Sequence, residues 1–289
     1  MPECEGAVVA TKDGRTIVEC TACGYAHVHP MYSETELENY YANVFAESTP
    51  SHSWFEKVQN ILRWKTHGDI LDVGCWEGTQ LEHFVNAGWK CTGLELNKKA
   101  AAISRSKGID VLEISIADFF ERCAGQSWDV INVAYVLEHI PRPMAFLNNV
   151  RQHLKPSGIL VVEVPNEFNP LQLAYLKREN IDPYWIFLPE HVNYFNKDSL
   201  ERLVRGGGFT ILHGESCFPM EMFLLMGNDY LKNKAVGPAS FAKVVSMENA
   251  LRDHDPALLS QLYSSLYAHG IGRGITLYLQ ADGQEGPHR

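Results

Sequence analysis

A chain of 289 residues, 45% of them hydrophobic, has enough apolar mass for one large core, or for one core with a small module appended. Its net charge of −10 argues against a polyanion as the main partner, so nucleic-acid binding is not expected. No apolar run of about 18 residues is present and the first residues lack a secretory signal pattern. Seven cysteines, an odd number scattered along the chain, fit a reducing cytoplasm better than a disulfide framework. The expectation is a cytoplasmic protein with no membrane partner.

Residues 1–48 read as a small separate module. They hold Cys4, Cys20, Cys23 and His27 but few large aliphatics for a core of their own. In Cys20-Thr-Ala-Cys23-Gly24 two thiolates are spaced to close on one zinc ion, with the glycine letting the turn tighten; Cys4 and His27 are the third and fourth ligands. The alternative is that Cys20 and Cys23 pack as small hydrophobes in a hairpin. Ser33, with Glu36 three residues on, predicts a capped helix over 33–41 that ties the module to the core or lies over a ligand mouth. Trp54, Phe55, Val58, Ile61, Leu62 and Trp64 predict a second amphipathic helix, its aromatics in the core.

The most informative stretch follows. Residues 70–73 form a short apolar strand, and Gly74-Cys75-Trp76-Glu77-Gly78 is a turn whose glycines let the backbone bend and a ligand come close. A helix comes next, with Leu81, Phe84 and Val85 on one face and Gly88 at its end, and a second strand over 89–94 delivers Glu95. Strand, glycine turn, helix, strand and carboxylate is the layout that lays a nucleotide-like ligand across a sheet edge with its ribose diol on the acid. A dinucleotide is disfavoured, because Trp76 and Thr79 stand where the second and third fingerprint glycines would be. Asp72 would repel a phosphate but suits an ammonium or sulfonium group. S-adenosylmethionine therefore fits better than NAD.

On these residues the chain resembles class I S-adenosylmethionine-dependent methyltransferases. Residues 72–78, DVGCWEG, are similar to that family's first motif, and 94–97, LELN, to its acidic ribose motif. The resemblance implies a cofactor held by Asp72, Gly74, Cys75, Trp76, Gly78, Glu95 and Leu96. Trp76 replaces a usual glycine, which would tilt its indole over the cofactor or narrow the pocket. Residues 115–120, SIADFF, sit where such enzymes present a backbone amide and a carboxylate to the adenine edge, which points to Asp118; Asp118 as a plain helix cap is the alternative. A fourth strand over 128–134 leads into VLEHIPRP, similar to the family's signature beside the reacting methyl, so Val133 and Ala134 would line the methionine part. His139 there is a base or an acceptor contact, unless it and Glu138 simply hold the loop. A fifth strand over 159–164 is apolar throughout, as in strands buried on both faces.

Residues 188–200, LPEHVNYFNKDSL, resemble the segment that covers the acceptor pocket in several small-molecule methyltransferases. Leu188 stands where related sugar C-methyltransferases carry a tyrosine that handles the acceptor proton. The departure weakens a carbanion mechanism and leaves His191, oriented by Glu190, as base for a hydroxyl acceptor; a loop histidine satisfying backbone carbonyls is the alternative. The cysteine module is also similar to the zinc modules of those sugar enzymes, which carry two full Cys-x-x-Cys pairs where this chain has Cys4 alone for the first. Beyond a sixth strand over 209–217, residues 218–267 are helical before a last strand over 275–281. This insertion would serve as a lid, a pocket wall or a homodimer surface, with Arg252, His254 and Arg273 as contacts for an anionic acceptor group.

The expected architecture is α/β: a Rossmann-like, seven-stranded, mostly parallel sheet with helices on both faces. It spans 49–217, with an acceptor-covering segment over 166–200, between the 1–48 module and a 218–289 region of helical insertion, last strand and tail. The expected function is S-adenosylmethionine-dependent O-methylation of a small hydroxylated molecule, a sugar or polysaccharide precursor first. C- or N-methylation, a macromolecular acceptor, or cofactor binding without catalysis are the alternatives.

Overall fold

The computed structural model describes residues 4–43 and 53–283. Residues 44–48 of the cysteine module, the side chains of Trp54 and Phe55, and the tail past 283 lie outside what it describes.

The chain opens on β1 (Gly6–Lys12), β2 (Arg15–Cys20) and β3 (Ala26–His29), an antiparallel meander. Helix α1 (Glu34–Asn43) begins at the expected cap: the Glu36 amide donates to Ser33 Oγ at 3.2 Å and the Ser33 amide to Glu36 Oε2 at 2.7 Å. Helix α2 (Ser53–Trp64) leads to the central alternation of β4 (Asp69–Val73), α3 (Thr79–Asn86), β5 (Lys90–Leu94), α4 (Lys98–Ser106), β6 (Asp110–Leu112), α5 (Ile116–Arg122), β7 (Trp128–Ala134), α6 (Pro143–Gln152) and β8 (Leu154–Pro165). Then come α7 (Pro170–Glu179), β9 (Asn193–Tyr194), α8 (Lys197–Gly206), β10 (Phe209–Ser216), α9 (Glu221–Leu225), α10 (Val236–His254), α11 (Pro256–Ala268) and β11 (Gly274–Ala281).

Seven strands form one sheet in the order β10-β11-β8-β7-β4-β5-β6. Only β11 runs against the rest, pairing antiparallel with both β8 and β10. The expected mostly parallel sheet is what the chain builds. Its two faces are separated by the two-residue period of a strand. Leu71, Val73, Ile131 and Val133 pack with Phe119, Phe146 and Leu147 on one face, while Ile70, Val130, Ile159 and Val161 pack with Ile61, Phe84 and Ile109 on the other. The order reverses at β4, whose neighbours are β5 and the later β7. A crevice at the carboxyl ends of β4 and β7 follows from that reversal, and it is where open α/β sheets bind ligands.

The cysteine module draws its apolar partners from elsewhere in the chain. Strand β3 takes β9 as an antiparallel neighbour, and Ile17, Val28 and Leu37 pack with Trp185, Ile186, Val192 and Tyr194. Its shortage of large aliphatics is met by the segment over 185–194.

Candidate functional site

The turn after β4 is held by backbone bonds. The amides of Gly74 and Cys75 donate to the Leu94 carbonyl at 2.8 and 3.0 Å, and Glu95 accepts from the Trp76 amide at 3.0 Å and the Asn97 amide at 2.7 Å. Glu95 is buried, and burial raises its carboxyl pKa against the pull of those amides. Each of its oxygens still has a lone pair for a diol. Gly74 and Gly78 take φ of 73° and 69°, and Trp76, without glycine's freedom, is held at 50°. A side chain at Gly78 would strike Ser104 Oγ and Ile109 Cδ1 at 2.4 Å, so this glycine seats the turn on α4. The Cys75 side chain turns inward over Gly93, which leaves only its backbone to face a ligand. Val133 is likewise fully buried, Ala134 and Leu96 are half-buried, and Asp118 is exposed on the first turn of α5. The cap of α5 is Ser115, whose Oγ accepts from the Asp118 amide, so the Asp118 carboxylate is not the cap.

Asp72 sits at the crevice, 5% exposed, accepting from Asn132 Nδ2 at 2.6 Å. Burial pushes its carboxyl up to about 6, against the Asn132 bond and the Lys57 charge that pull it down, with Glu95 adding to the rise. Asn132 Oδ1 and Gln80 Nε2 beside it are buried without partners. Spare buried acceptor and donor capacity next to a carboxylate suits a polar cationic group such as an amino-acid ammonium. Lys57, from α2, pairs with Glu163 of β8 in the interior below.

On the other side of the β7 end, Tyr135 is held at φ 54° and its amide donates to the Glu163 carbonyl at 2.8 Å. A cavity of about 330 Å³ opens here, lined by Tyr135, Glu138, His139, Glu167, Trp185 and His191 among others. The segment over 188–195 is pinned onto the turn after β7. The Val192 amide donates to the Glu138 carbonyl at 2.9 Å, and Asn193 Nδ2 to the Ile140 carbonyl at 2.7 Å. The structure thus brings His139 and His191 together, ring centres 5.3 Å apart. His139 Nδ1 donates to the Glu190 carbonyl at 2.6 Å, and Tyr41 of α1 donates to the same oxygen.

The expected role of Glu190 needs correction. The carboxylate hydrogen-bonded to His191 is that of Glu167, with Oε1 3.2 Å from Nδ1, because Glu167 follows β8 into the cavity, while the exposed Glu190 lines the same cavity and acts on His191 only through its charge. Burial works against the charged form of His191, but the Glu167 bond and charge and the charges of Glu138 and Glu190 outweigh it and hold its pKa above the ordinary value. Burial, with the His191 charge, carries His139 down to about 3, and burial lifts Glu138 to about 8. Glu167 was missed at the sequence level. Its signal was position, two residues past the carboxyl end of β8. Of the three cations expected for an anionic acceptor, Arg273 lines this cavity and pairs with Glu221 at 2.9 Å, while Arg252 binds Glu56 of α2. A larger cavity, about 700 Å³, runs along the β6 edge past Asp69, Lys90 and Trp128 at the strands' amino ends, away from Asp72 and Glu95.

The sulfurs of Cys4, Cys20 and Cys23 and a ring nitrogen of His27 all lie within 4.8 Å of one another, and none of the cysteines is in a disulfide. His27 Nδ1 donates to the Val28 carbonyl at 2.8 Å, which leaves Nε2 buried with no partner. That tautomer, with a lone pair facing thiols, is what a zinc ligand requires.

Residues 45–214 match the family model described as Methyltransferase domain. The chain is 27% identical over 173 residues to a ubiquinone biosynthesis O-methyltransferase of Aromatoleum aromaticum, covering 55% of this chain and 72% of that protein. It is 30% identical over 106 residues to one of Actinobacillus pleuropneumoniae, covering 34% and 45%. Of most of the curated relatives it matches, the chain spans about half the length. Among solved structures, the 1,6-didemethyltoxoflavin-N1-methyltransferase of Burkholderia thailandensis, with S-adenosylhomocysteine bound, superposes with a TM-score of 0.55 at 13% identity, over 94% of this chain and 98% of that one. A SAM-dependent methyltransferase of Archaeoglobus fulgidus superposes at 0.50 and 17% identity, over 78% and 92%. At such identities these two likenesses speak for the fold.

Proposed function

This chain belongs to the methyltransferase-domain family, and we propose from that premise that it transfers the methyl group of S-adenosylmethionine to an oxygen of a small hydroxylated molecule. The observation that carries the reading is that both sets of residues flank the carboxyl end of β7: Asn132 of β7 donates to Asp72, Glu95 at the end of the neighbouring β5 holds the glycine turn, and Tyr135, the residue after β7, lines the cavity holding His139 and His191. The cofactor supplies, when bound, an electrophilic methyl on a sulfonium centre. Glu95 would accept the ribose hydroxyls, the Gly74–Gly78 backbone would face the cofactor, and Asp72 with Asn132 would take its ammonium group. Asp118, exposed at the start of α5, would reach the adenine edge. Tyr135, Trp185 and Phe187 would wall the acceptor, and His191, braced by Glu167, would accept the hydroxyl proton, with His139 beside it. The chain's main task is to position two reactants and exclude water. The curated relatives are named ubiquinone biosynthesis O-methyltransferases, which favours oxygen over nitrogen or carbon as the acceptor atom.

Cys4, Cys20, Cys23 and His27 would hold a structural zinc ion, since their donor set and the free His27 Nε2 fit one. It would lie beside β3, which carries His27 and pairs with β9, two residues on from the cavity-lining His191. Transfer of an isotopically labelled methyl group to a panel of catechols and nucleotide sugars, with calorimetric cofactor binding alongside, tests the reading. Cofactor binding with label in one hydroxylated class supports it. Binding with no label in any small molecule would replace it with a macromolecular acceptor or a non-catalytic role.

A further inference from the structure

One group in the acceptor cavity is unexplained by acid–base chemistry alone. Glu138 is 1% exposed, and neither carboxylate oxygen receives a hydrogen bond from another residue. Buried carboxylates are otherwise paired, hydrogen-bonded or bound to a metal. His139 Nε2 lies 3.8 Å from Glu138 Oε1, and one donor atom from each of Glu138, His139 and His191 lies within 4.8 Å of the others. Both imidazoles are fixed through Nδ1, His139 by the Glu190 carbonyl and His191 by the Glu167 carboxylate. Such outer bonds set a ligand's tautomer and turn its other nitrogen towards the ion. Ligand atoms about 2.1 Å from a common ion stand about 3–4 Å apart, so only a small inward adjustment separates these three from a coordination sphere.

We propose that Glu138, His139 and His191 bind one first-row divalent transition-metal ion inside the acceptor cavity, with positions left open to the cavity for an oxygen of the acceptor. The inference rests on the reading of this cavity as the acceptor pocket. Two imidazoles and one carboxylate select zinc, manganese, iron or cobalt over magnesium, which prefers oxygen ligands and keeps its waters. An acceptor hydroxyl entering the sphere loses its proton to water more readily. With metal bound, His191 serves as a ligand in place of the base, the acceptor proton leaves to water, and Glu167 orients the imidazole.

The site is separable from the cysteine cluster by spectroscopy. The full chain, stripped with EDTA, is titrated with Co²⁺ and followed by absorption and calorimetry. The expected result is one equivalent with thiolate charge-transfer bands, lost in Cys20→Ser, and a second without them, kept in Cys20→Ser and lost in both Glu138→Ala and His191→Ala. Glu167→Gln, which leaves the ligands in place, is expected to weaken the second equivalent about 10–100-fold. Circular dichroism and cofactor binding show that each variant is folded. A single thiolate-type equivalent, or a second equivalent that survives both ligand variants, overturns the proposal. So does methyl transfer by the stripped protein at the untreated rate, or restoration by Mg²⁺ alone; in those cases the methyltransferase reading stands. A second equivalent that behaves as expected, in a protein that methylates none of the small acceptors, upholds the metal site and overturns the acceptor reading.

Discussion

The two halves of the site that meet at the end of β7 are built in opposite ways. The cofactor half is centred on one stretch, Asp72 to Asn97, joined by Asn132 and Asp118, and the turn at its heart is set by backbone amides: Gly74, Cys75, Trp76 and Asn97 all donate to Leu94 or Glu95. The acceptor half gathers side chains from the turn after β7, the end of β8, the segment over 185–191 and Arg273. Its cover is held by a strand shared with the cysteine module. A backbone-built site tolerates changes of side chain but not of turn, whereas a site of remote side chains depends on each one and on what holds its segment.

The largest effect expected from this contrast lies in the acceptor half. His191→Ala should lower turnover about 10²–10⁴-fold, the range for loss of a positioned proton-transfer group, and leave the cofactor Kd within about twofold. Steady-state kinetics with calorimetry measures both, and a large rise in cofactor Kd would break the division. Next comes Glu95→Ala, which removes the acceptor of two amides and of the ribose. Charged hydrogen bonds contribute about 1.5–3 kcal/mol, so cofactor affinity should fall about 10–100-fold while zinc content is unchanged. A smaller effect is expected from Cys20→Ser. One equivalent of bound zinc should be lost per chain and the acceptor KM should rise several-fold, because β3 supports β9. An unchanged acceptor KM would show that the two sheets are energetically independent.

The same contrast explains what could be read from the chain beforehand. The sheet, its one reversed strand position aside, and the cofactor turn follow from short-range signals: strand periods, the glycines at 74 and 78, and a carboxylate ending the next strand. The Cys4–Cys20–Cys23–His27 cluster was legible because metal-ligand spacing constrains residue types directly. Glu167 was not, since its position just past a buried strand is a weak mark until β8 and the segment over 188–195 are folded against each other. Glu190, adjacent to His191 in sequence, was the local choice, but His191 makes its hydrogen bond to Glu167, and the Glu190 carbonyl accepts from His139. Nor could the sharing of Trp185 and Val192 with the cysteine module be foreseen, as it depends on a two-residue strand.

The smallest effect, and the sharpest probe of the cofactor half, is its pH dependence. Asp72 is faced by Asn132 from β7, Lys57 from α2 and Glu95 from β5, and burial sets the balance, raising its carboxyl to about 6. A cationic ligand group binds the ionised form, so the free protein must shed a proton before binding once the pH is below that value. Cofactor Kd should be flat above about pH 7, roughly double near pH 6, and then rise up to tenfold per unit. Stability moves the other way. A folded-state pKa above the unfolded value means that the folded chain holds the proton more tightly, so ionising Asp72 costs stability above pH 6, on the order of 2–3 kcal/mol, and that cost disappears as the pH falls through 6 towards 4. Asp72→Asn should therefore be more stable than the parent at pH 8 in urea titrations and equal to it near pH 4, with cofactor binding weakened relative to the parent at pH 8 and the difference closing towards pH 4. A variant that lost stability at pH 8 would show that the Lys57 charge compensates Asp72 fully, and that the carboxylate belongs to the fold as much as to the cofactor.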